Sequence, residues 1–279
     1  MQCGSARQIR HCARLATLLI AALPRAAAAA GVGLDYEVRW GPVTVLEVHN
    51  TTRHGDDWYE ATSEMRTVGV VALFLPWNST SRTAGSGSGA TLLPQTHRTH
   101  GALRGAERTV EIDYGAGGSV AARIAPAADD EGRDPVPVEL QQATIDPLTS
   151  GLMVVASDCR GTQQVFDGRR RYDLVLSDLG QAEVPDGAAV YRGMARHCRA
   201  AILPLTGYWR RDTREDERPM QIDAWIAAPR PDLPPVPVYL EISAARGTLG
   251  IHLTGARLLD PIAAADTNTP SPVTRDPAN

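Results

Sequence analysis

Alternation of apolar and polar positions dominates the chain after its first thirty residues. Val236, Val238, Leu240 and Ile242 alternate with Pro237, Tyr239 and Glu241, and Leu249, Ile251 and Leu253 alternate with Gly250, His252 and Thr254. Successive side chains of a strand point to opposite faces, so each run predicts a strand with one face in the core, and the two pair as a hairpin. Ile222, Ala224 and Ile226 repeat the pattern against Gln221, Asp223 and Trp225. Residues 109–114 (TVEIDY) and 120–124 predict two more strands around Gly115-Ala116-Gly117-Gly118. Residues 68–77 (VGVVALFLPW) are nearly all apolar, which fits a buried strand or a short helix.

One segment has helical spacing instead. Asp146-Pro147 supplies an N-cap and a proline for the first helical position, and Leu148, Leu152 and Val155 then recur on one face. A short helix is expected over residues 147–156. Residues 79–89 (STSRTAGSGSG), 125–137 and 210–219 are expected as loops, the last a solvated hairpin tip of mixed charge.

The stretch from Cys159 to Gly180, CRGTQQVFDGRRRYDLVLSDLG, reads as a β-hairpin turning at Asp167-Gly168. A two-residue turn sets Phe166 against Arg169, Val165 against Arg170 and Gln163 against Tyr172. One side then carries Cys159, Val165, Tyr172, Leu174 and Leu176. The other carries Thr162, Gln164, Phe166, Arg169, Arg171 and Asp173, a mostly polar set in which Asp173 can pair with Arg171. Arg170 falls on the apolar side, where it must snorkel, pair or face a polar cavity. Arg169, Arg170 and Arg171, with Tyr172, are candidates for gripping a phosphate or carboxylate headgroup. The competing reading is three solvated arginines at a turn.

Composition adds a compartment. Residues 1–30 hold Arg7, Arg10 and Arg14 ahead of a short apolar run and an alanine-rich A-x-A stretch, the pattern of a cleaved secretory signal peptide. Cys3 and Cys12 precede the apolar run, so neither is placed for lipoprotein acylation. No later segment is long and apolar enough for a spanning helix, so the mature chain is expected not to span a membrane. The chain contains no lysine, and its alanine-rich composition fits a high-GC bacterial genome, hence the periplasm. The formal charge of -4 includes four arginines in residues 1–30, so the remainder carries about -8. That balance disfavours nucleic acid as a partner. Cys159 and Cys198 are then an even pair in an oxidising compartment and are expected to be bridged.

Chemistry is sparse. There is no G-x-S-x-G elbow, and the Gly85–Gly89 run (GSGSG) lacks the Gly-Lys-Ser/Thr of a P-loop. His97 and His100 would point to opposite faces of a strand, so they make a poor metal pair. His49 and His54 flank a turn with Arg53, Asp56 and Asp57, which reads better as an exposed turn than as an acid–base pair. His197 adjoins Cys198, but a disulfide removes the thiolate such a pair needs. No catalytic residue, metal site or cofactor is expected.

Several stretches together resemble domain-of-unknown-function family 3108, a bacterial envelope family. They are Tyr36-Glu37-Val38-Arg39-Trp40, Leu93-Pro94-Gln95-Thr96-His97, Glu107-Arg108-Thr109-Val110, Asp146-Pro147-Leu148, the block from Val165 to Leu174, and Tyr191-Arg192 through Cys198 to Pro204-Leu205-Thr206-Gly207-Tyr208. The Phe-Asp-Gly-Arg-Arg block with its cysteine is the most specific. The resemblance implies a mainly β fold. In it a strongly curved antiparallel sheet forms an incomplete or spiral β-barrel over residues 31–260, and the helix at 147–156 plugs the mouth. The resemblance implies no catalytic residues. From composition alone, the Pro/Thr/Asp-rich residues 261–279 are expected as a disordered tail.

Two function classes follow. In the first, a non-enzymatic periplasmic protein binds a lipid or other apolar ligand and supports the cell envelope, with Val71, Leu73, Leu152, Leu174 and Ile251 lining a cavity. In the second, an envelope protein partner docks on exposed anchors such as Trp77, Trp209 and Trp225, and no small ligand is bound. An enzymatic reading has the least support and would need a His/Asp pair at the barrel mouth.

Overall fold

Most strands pair with their neighbours in sequence, so the fold is largely an antiparallel meander. The computed structural model describes residues 30–185, 190–210, 220–244 and 247–260. The expected signal peptide, most of the 210–219 tip and the 261–279 tail lie outside them. In chain order the strands are β1 (Ala30–Trp40), β2 (Val43–His54), β3 (Trp58–Thr67), β4 (Trp77–Ser86), β5 (Leu93–Leu103), β6 (Ala106–Tyr114), β7 (Val120–Ala125), β8 (Gly161–Phe166), β9 (Arg171–Glu183), β10 (Met194–Thr206), β11 (Met220–Ala227), β12 (Val236–Ala244) and β13 (Gly247–Leu258). The helices are α1 (Gly69–Phe74), α2 (Val138–Gln141) and α3 (Pro147–Ala156). All thirteen strands form one sheet. Pairing of β1 with β13 at its centre leaves β7 and β8 as edges.

The two edges do not pair with each other. A connecting segment lies between them and bonds to each. The Gln142 amide bonds the backbone N–H and carbonyl of Val120 on β7, at 2.9 and 3.3 Å. Three residues on, Ile145 donates to Gln164 at 2.9 Å and accepts from Phe166 at 3.0 Å on β8. Unpaired strand edges invite aggregation, and here the chain itself covers them. The result is an open, barrel-like curl, as the family resemblance implied.

The β8–β9 hairpin reinforces that closure. Its ladder pairs Phe166 with Arg171, so the tip has four residues, not two. Asp167 Oδ1 accepts the backbone N–H groups of Arg169 (2.8 Å) and Arg170 (2.7 Å), which widens the turn. The expected pairing is therefore off by two residues. A two-residue shift preserves the faces, so Val165, Tyr172, Leu174 and Leu176 still share one side. The other side is not solvent-facing as expected. Phe166 is fully buried with Val110, Ile112, Val120 and Val136, and Arg171 is buried against the Leu140 carbonyl (3.2 Å) and Asp173 (2.7 Å). The reason is the curl, which brings β6 and the connecting segment over that face. Gly168 has φ +90° and lies on Val110, where a Cβ would come within 2.2 Å of Cγ1. Arg169 reaches the carbonyls of Ala125 (2.9 Å) and Pro126 (3.1 Å) at the end of β7.

Two other expectations need correction, and one open alternative is decided. Residues 79–89 were expected as a loop, but β4 occupies most of them, with Ser79, Ser81, Thr83 and Gly85 buried in alternation. Their small side chains leave room for α3, and a Cβ on Gly85 would collide with the Tyr59 ring at 2.7 Å. Of the two alternatives left open for 68–77, the short helix is the one found: α1 spans Gly69–Phe74, with Leu73 80% exposed and Phe74 also exposed. Trp77 and Trp209 are half-buried and Trp225 is buried, stacked on His197 at 4.4 Å, so these three do not present exposed docking anchors. The helix at Pro147–Ala156 stands as expected, and Cys159 and Cys198 are bridged and buried.

Two substitutions test this architecture. Gly168→Ala places a Cβ in a left-handed conformation against Val110 and should lower stability by roughly 2–4 kcal/mol, read as a shifted denaturation midpoint; an unchanged midpoint would contradict the closure described. Removing the 39-residue cross-link with Cys198→Ser should cost about 4 kcal/mol in the chain-entropy account. Non-reduced protein should titrate no free thiol among these two.

Candidate functional site

The plug helix is held to the barrel wall by one buried carboxylate. Asp146 caps α3, its Oδ1 accepting from the N–H groups of Leu148 (2.9 Å) and Thr149 (3.1 Å). The same oxygen accepts the Thr83 hydroxyl of β4 at 2.7 Å, and Oδ2 accepts the Thr149 hydroxyl at 2.6 Å. Since Thr83 donates to Asp146, His97 Nδ1 on β5 donates to Thr83 at 2.8 Å, and it lies 3.3 Å from Asp146. Tyr59 of β3 donates to Thr149 at 2.6 Å. Burial opposes the charge on Asp146. The bond and charge of His97 and the hydroxyls of Thr149 and Thr83 outweigh it, and hold the carboxyl below its usual range. Burial pushes the Tyr59 phenol up, which keeps it a donor.

A His/Asp pair therefore does exist beside the barrel interior, with Asp146 wholly buried behind His97. Thr83 is fully buried and already donates to Asp146, so it is no free nucleophile. The second His97 nitrogen is engaged by Thr99 at 3.1 Å. The Thr83, Thr149 and Tyr59 hydroxyls and His97 Nδ1 all lead to the helix cap, so the network fastens α3 to the sheet. No group of three or more His, Cys, Asp or Glu side chains suited to a metal occurs among the described residues. Sequence reading recognised Asp146 as a cap but missed Thr83, His97 and Tyr59 as its partners. The alternating Ser/Thr of β4 was the available signal.

Docked this way, α3 roofs two spaces that share Pro147 and Leu148 as a wall. The first is a cleft of about 610 Å³ between α3 and the strands β1 to β3. Leu148, Leu152 and Val155, one face of α3, line it opposite Val32 and Leu34 of β1, with Pro235 at the side. Gly151 also faces it, and a Cβ there would meet nothing within 4 Å. The second space, about 400 Å³, is the more polar of the two, lined by Arg108, Arg133, Arg169, Arg170, Asp167 and Tyr172 among others.

These spaces sort the sequence-predicted residues. Leu152 lines the apolar cleft, while Arg169, Arg170 and Tyr172 line the polar one. Leu174 is packed with Val165, Leu176 and Ala200, and Ile251 packs on the larger core cluster around Val238 and Leu253. Neither lines either space. Val71 and Leu73 sit on α1 and also line neither, and Arg171 is tied to Leu140 and Asp173. His49 pairs with Asp35 at 2.7 Å, and His54 borders the apolar cleft.

The family model described as "Protein of unknown function (DUF3108)" matches residues 35–254. The chain belongs to the DUF3108 family. No curated protein matches it. Among solved structures, this DUF3108 protein is similar to a β-barrel-like protein of domain of unknown function DUF1849 from Brucella abortus. The two share 11% identity at a TM-score of 0.47, over 85% of this chain and 99% of that one. Among the described residues no helix is long and apolar enough to cross a membrane.

Asp146→Ala should cost about 3–5 kcal/mol, because it strands Thr83, Thr149 and His97 in the interior. Asp146→Asn should cost less and should alter the acid limb of stability. A carboxyl held below its unfolded value near 3.9 contributes fully above about pH 5 and loses that contribution as pH falls through its lowered folded-state value. The gap in melting temperature between wild type and Asp146→Asn should therefore be constant at neutral pH and shrink below about pH 4. A gap independent of pH would show that Asp146 is not charged in the fold.

Proposed function

We propose that this DUF3108 protein is a non-enzymatic binder of a hydrophobic or lipid ligand, acting in the bacterial periplasm in support of the cell envelope. The observation that carries the reading is the apolar cleft beneath α3. A volume of about 610 Å³ falls within the roughly 300–1,000 Å³ usual for small-molecule sites. Its lining is mostly apolar, with Asn50, Thr52 and His54 among the polar members on β2, and a flexible apolar chain lying there would gain about 0.8 kcal/mol per buried methylene. Gly151 keeps the helix surface low on the cleft side; a side chain at that position would enter the space a ligand needs. The periplasmic setting rests on the signal-peptide pattern of residues 1–30 and on the Cys159–Cys198 bridge, which favours an oxidising compartment.

Docking of a protein partner is the second reading, and one observation favours it. Val70, Leu73 and Phe74 of α1 are exposed together at the β3–β4 connection.

Native mass spectrometry of protein purified from a periplasm without detergent, followed by organic extraction, separates the two. The ligand reading expects a stoichiometric apolar adduct on wild type. It expects that adduct to be absent from Gly151→Leu, which should remain folded because the new side chain meets open space. An apo mass for wild type, with no uptake of added decanol, would overturn it.

A further inference from the structure

The polar space holds more positive charge than its own carboxylates neutralise. Four guanidinium groups line it, those of Arg108, Arg133, Arg169 and Arg170. Two carboxylates answer them. Glu131 takes Arg108 and Arg169 and lies 3.6 Å from Arg133, and Asp167 takes Arg170 Nε at 2.8 Å. Asp146 is wholly buried and does not line the space.

The four arginines are not equivalent. Arg169 is fully engaged, with Glu131 and the backbone carbonyls of Ala125 and Pro126 as partners. It is a fastener of the hairpin tip. Arg133 is different. It is only 9% exposed, and its Nε makes no hydrogen bond among the described residues. Its remaining contacts are Nη1 to the Gly207 carbonyl at 3.2 Å and a cation–π stack on Trp209 at 3.7 Å. Burial and then the like charge of Arg170 both oppose its protonated state. Arg170, whose side chain is 48% exposed, also lines the space and pairs with Asp167 through Nε. Two cations that line one space and repel each other, one of them buried with an Nε that makes no hydrogen bond, are a costly arrangement unless an anion joins them.

We propose that this space binds an oxyanion, a phosphate or carboxylate group, between Arg133 and Arg170. The planar guanidinium forks suit such a group, and the neighbouring Arg108 adds to the field. The anion is either a free solute or the headgroup of an amphiphile whose chain occupies the apolar cleft across the shared Pro147–Leu148 wall; the second source rests on the function proposed above.

Calorimetric titration with inorganic phosphate, decyl phosphate and decanol separates these cases, using wild type, Arg133→Gln and Arg170→Gln. Arg170→Gln keeps the experiment informative if Arg133→Gln fails to fold, since it removes only a half-exposed ion pair. The headgroup source predicts that decyl phosphate binds at least about tenfold tighter than decanol, and that Arg170→Gln abolishes the difference while decanol binding persists. The free-anion source predicts a phosphate site lost in Arg170→Gln and indifferent to decanol. Equal binding of decyl phosphate and decanol, with none of phosphate, overturns the oxyanion site and leaves the apolar reading standing. Phosphate binding without any decanol binding upholds the site and sinks the apolar reading.

Discussion

A carboxylate with no access to solvent must be surrounded by donors, and at Asp146 those donors come from three separate parts of the chain. The first turn of α3 supplies two backbone N–H groups and a hydroxyl, β4 supplies Thr83, and β5 supplies His97 close behind it. Tyr59 extends the network to β3. Helix caps are ordinarily surface features. This one is turned inward, so the cap of the helix and its attachment to the sheet are a single interaction. The position of α3 across the curl depends on it, and with that position the shapes of both spaces beneath.

The Phe-Asp-Gly-Arg-Arg block solves a related problem. A thirteen-stranded meander that curls without closing has two edges to protect, and the tip of the β8–β9 hairpin is folded across to β6 and β7. Phe166 provides the apolar contact, Gly168 the close approach to Val110, and Arg169 the bonds to the end of β7. Arg170 is left over on the inner side. One short block thus closes the fold with three residues and charges its interior with a fourth.

Much of the fold was legible because strand period and helix cap are local signals. The strands at β6, β7, β11, β12 and β13 follow from alternation alone, and α3 follows from Asp146-Pro147 and three spaced apolar residues. What was not legible was long-range. Nothing local in STSRTAGSGSG shows that small polar residues sit under a helix, so β4 reads as a loop. Asp-Gly is a strong turn signal, yet Asp167 bonds two following N–H groups and lengthens the tip, which no dipeptide rule anticipates. At the candidate site, Leu152 and Arg170 were visible from the sequence. Arg133 was not, since its lone buried position depends on how residues 126–146 cross between the edges.

Photo-crosslinking with a diazirine-bearing fatty acid, mapped by peptide mass, tests most directly the claim that α3 covers a ligand cleft. The account predicts labels on Leu152, Val155 and the Pro234–Pro237 segment that line it. Labels confined to the exposed Leu73 and Phe74 of α1 would place the apolar contact on the outer surface and contradict it.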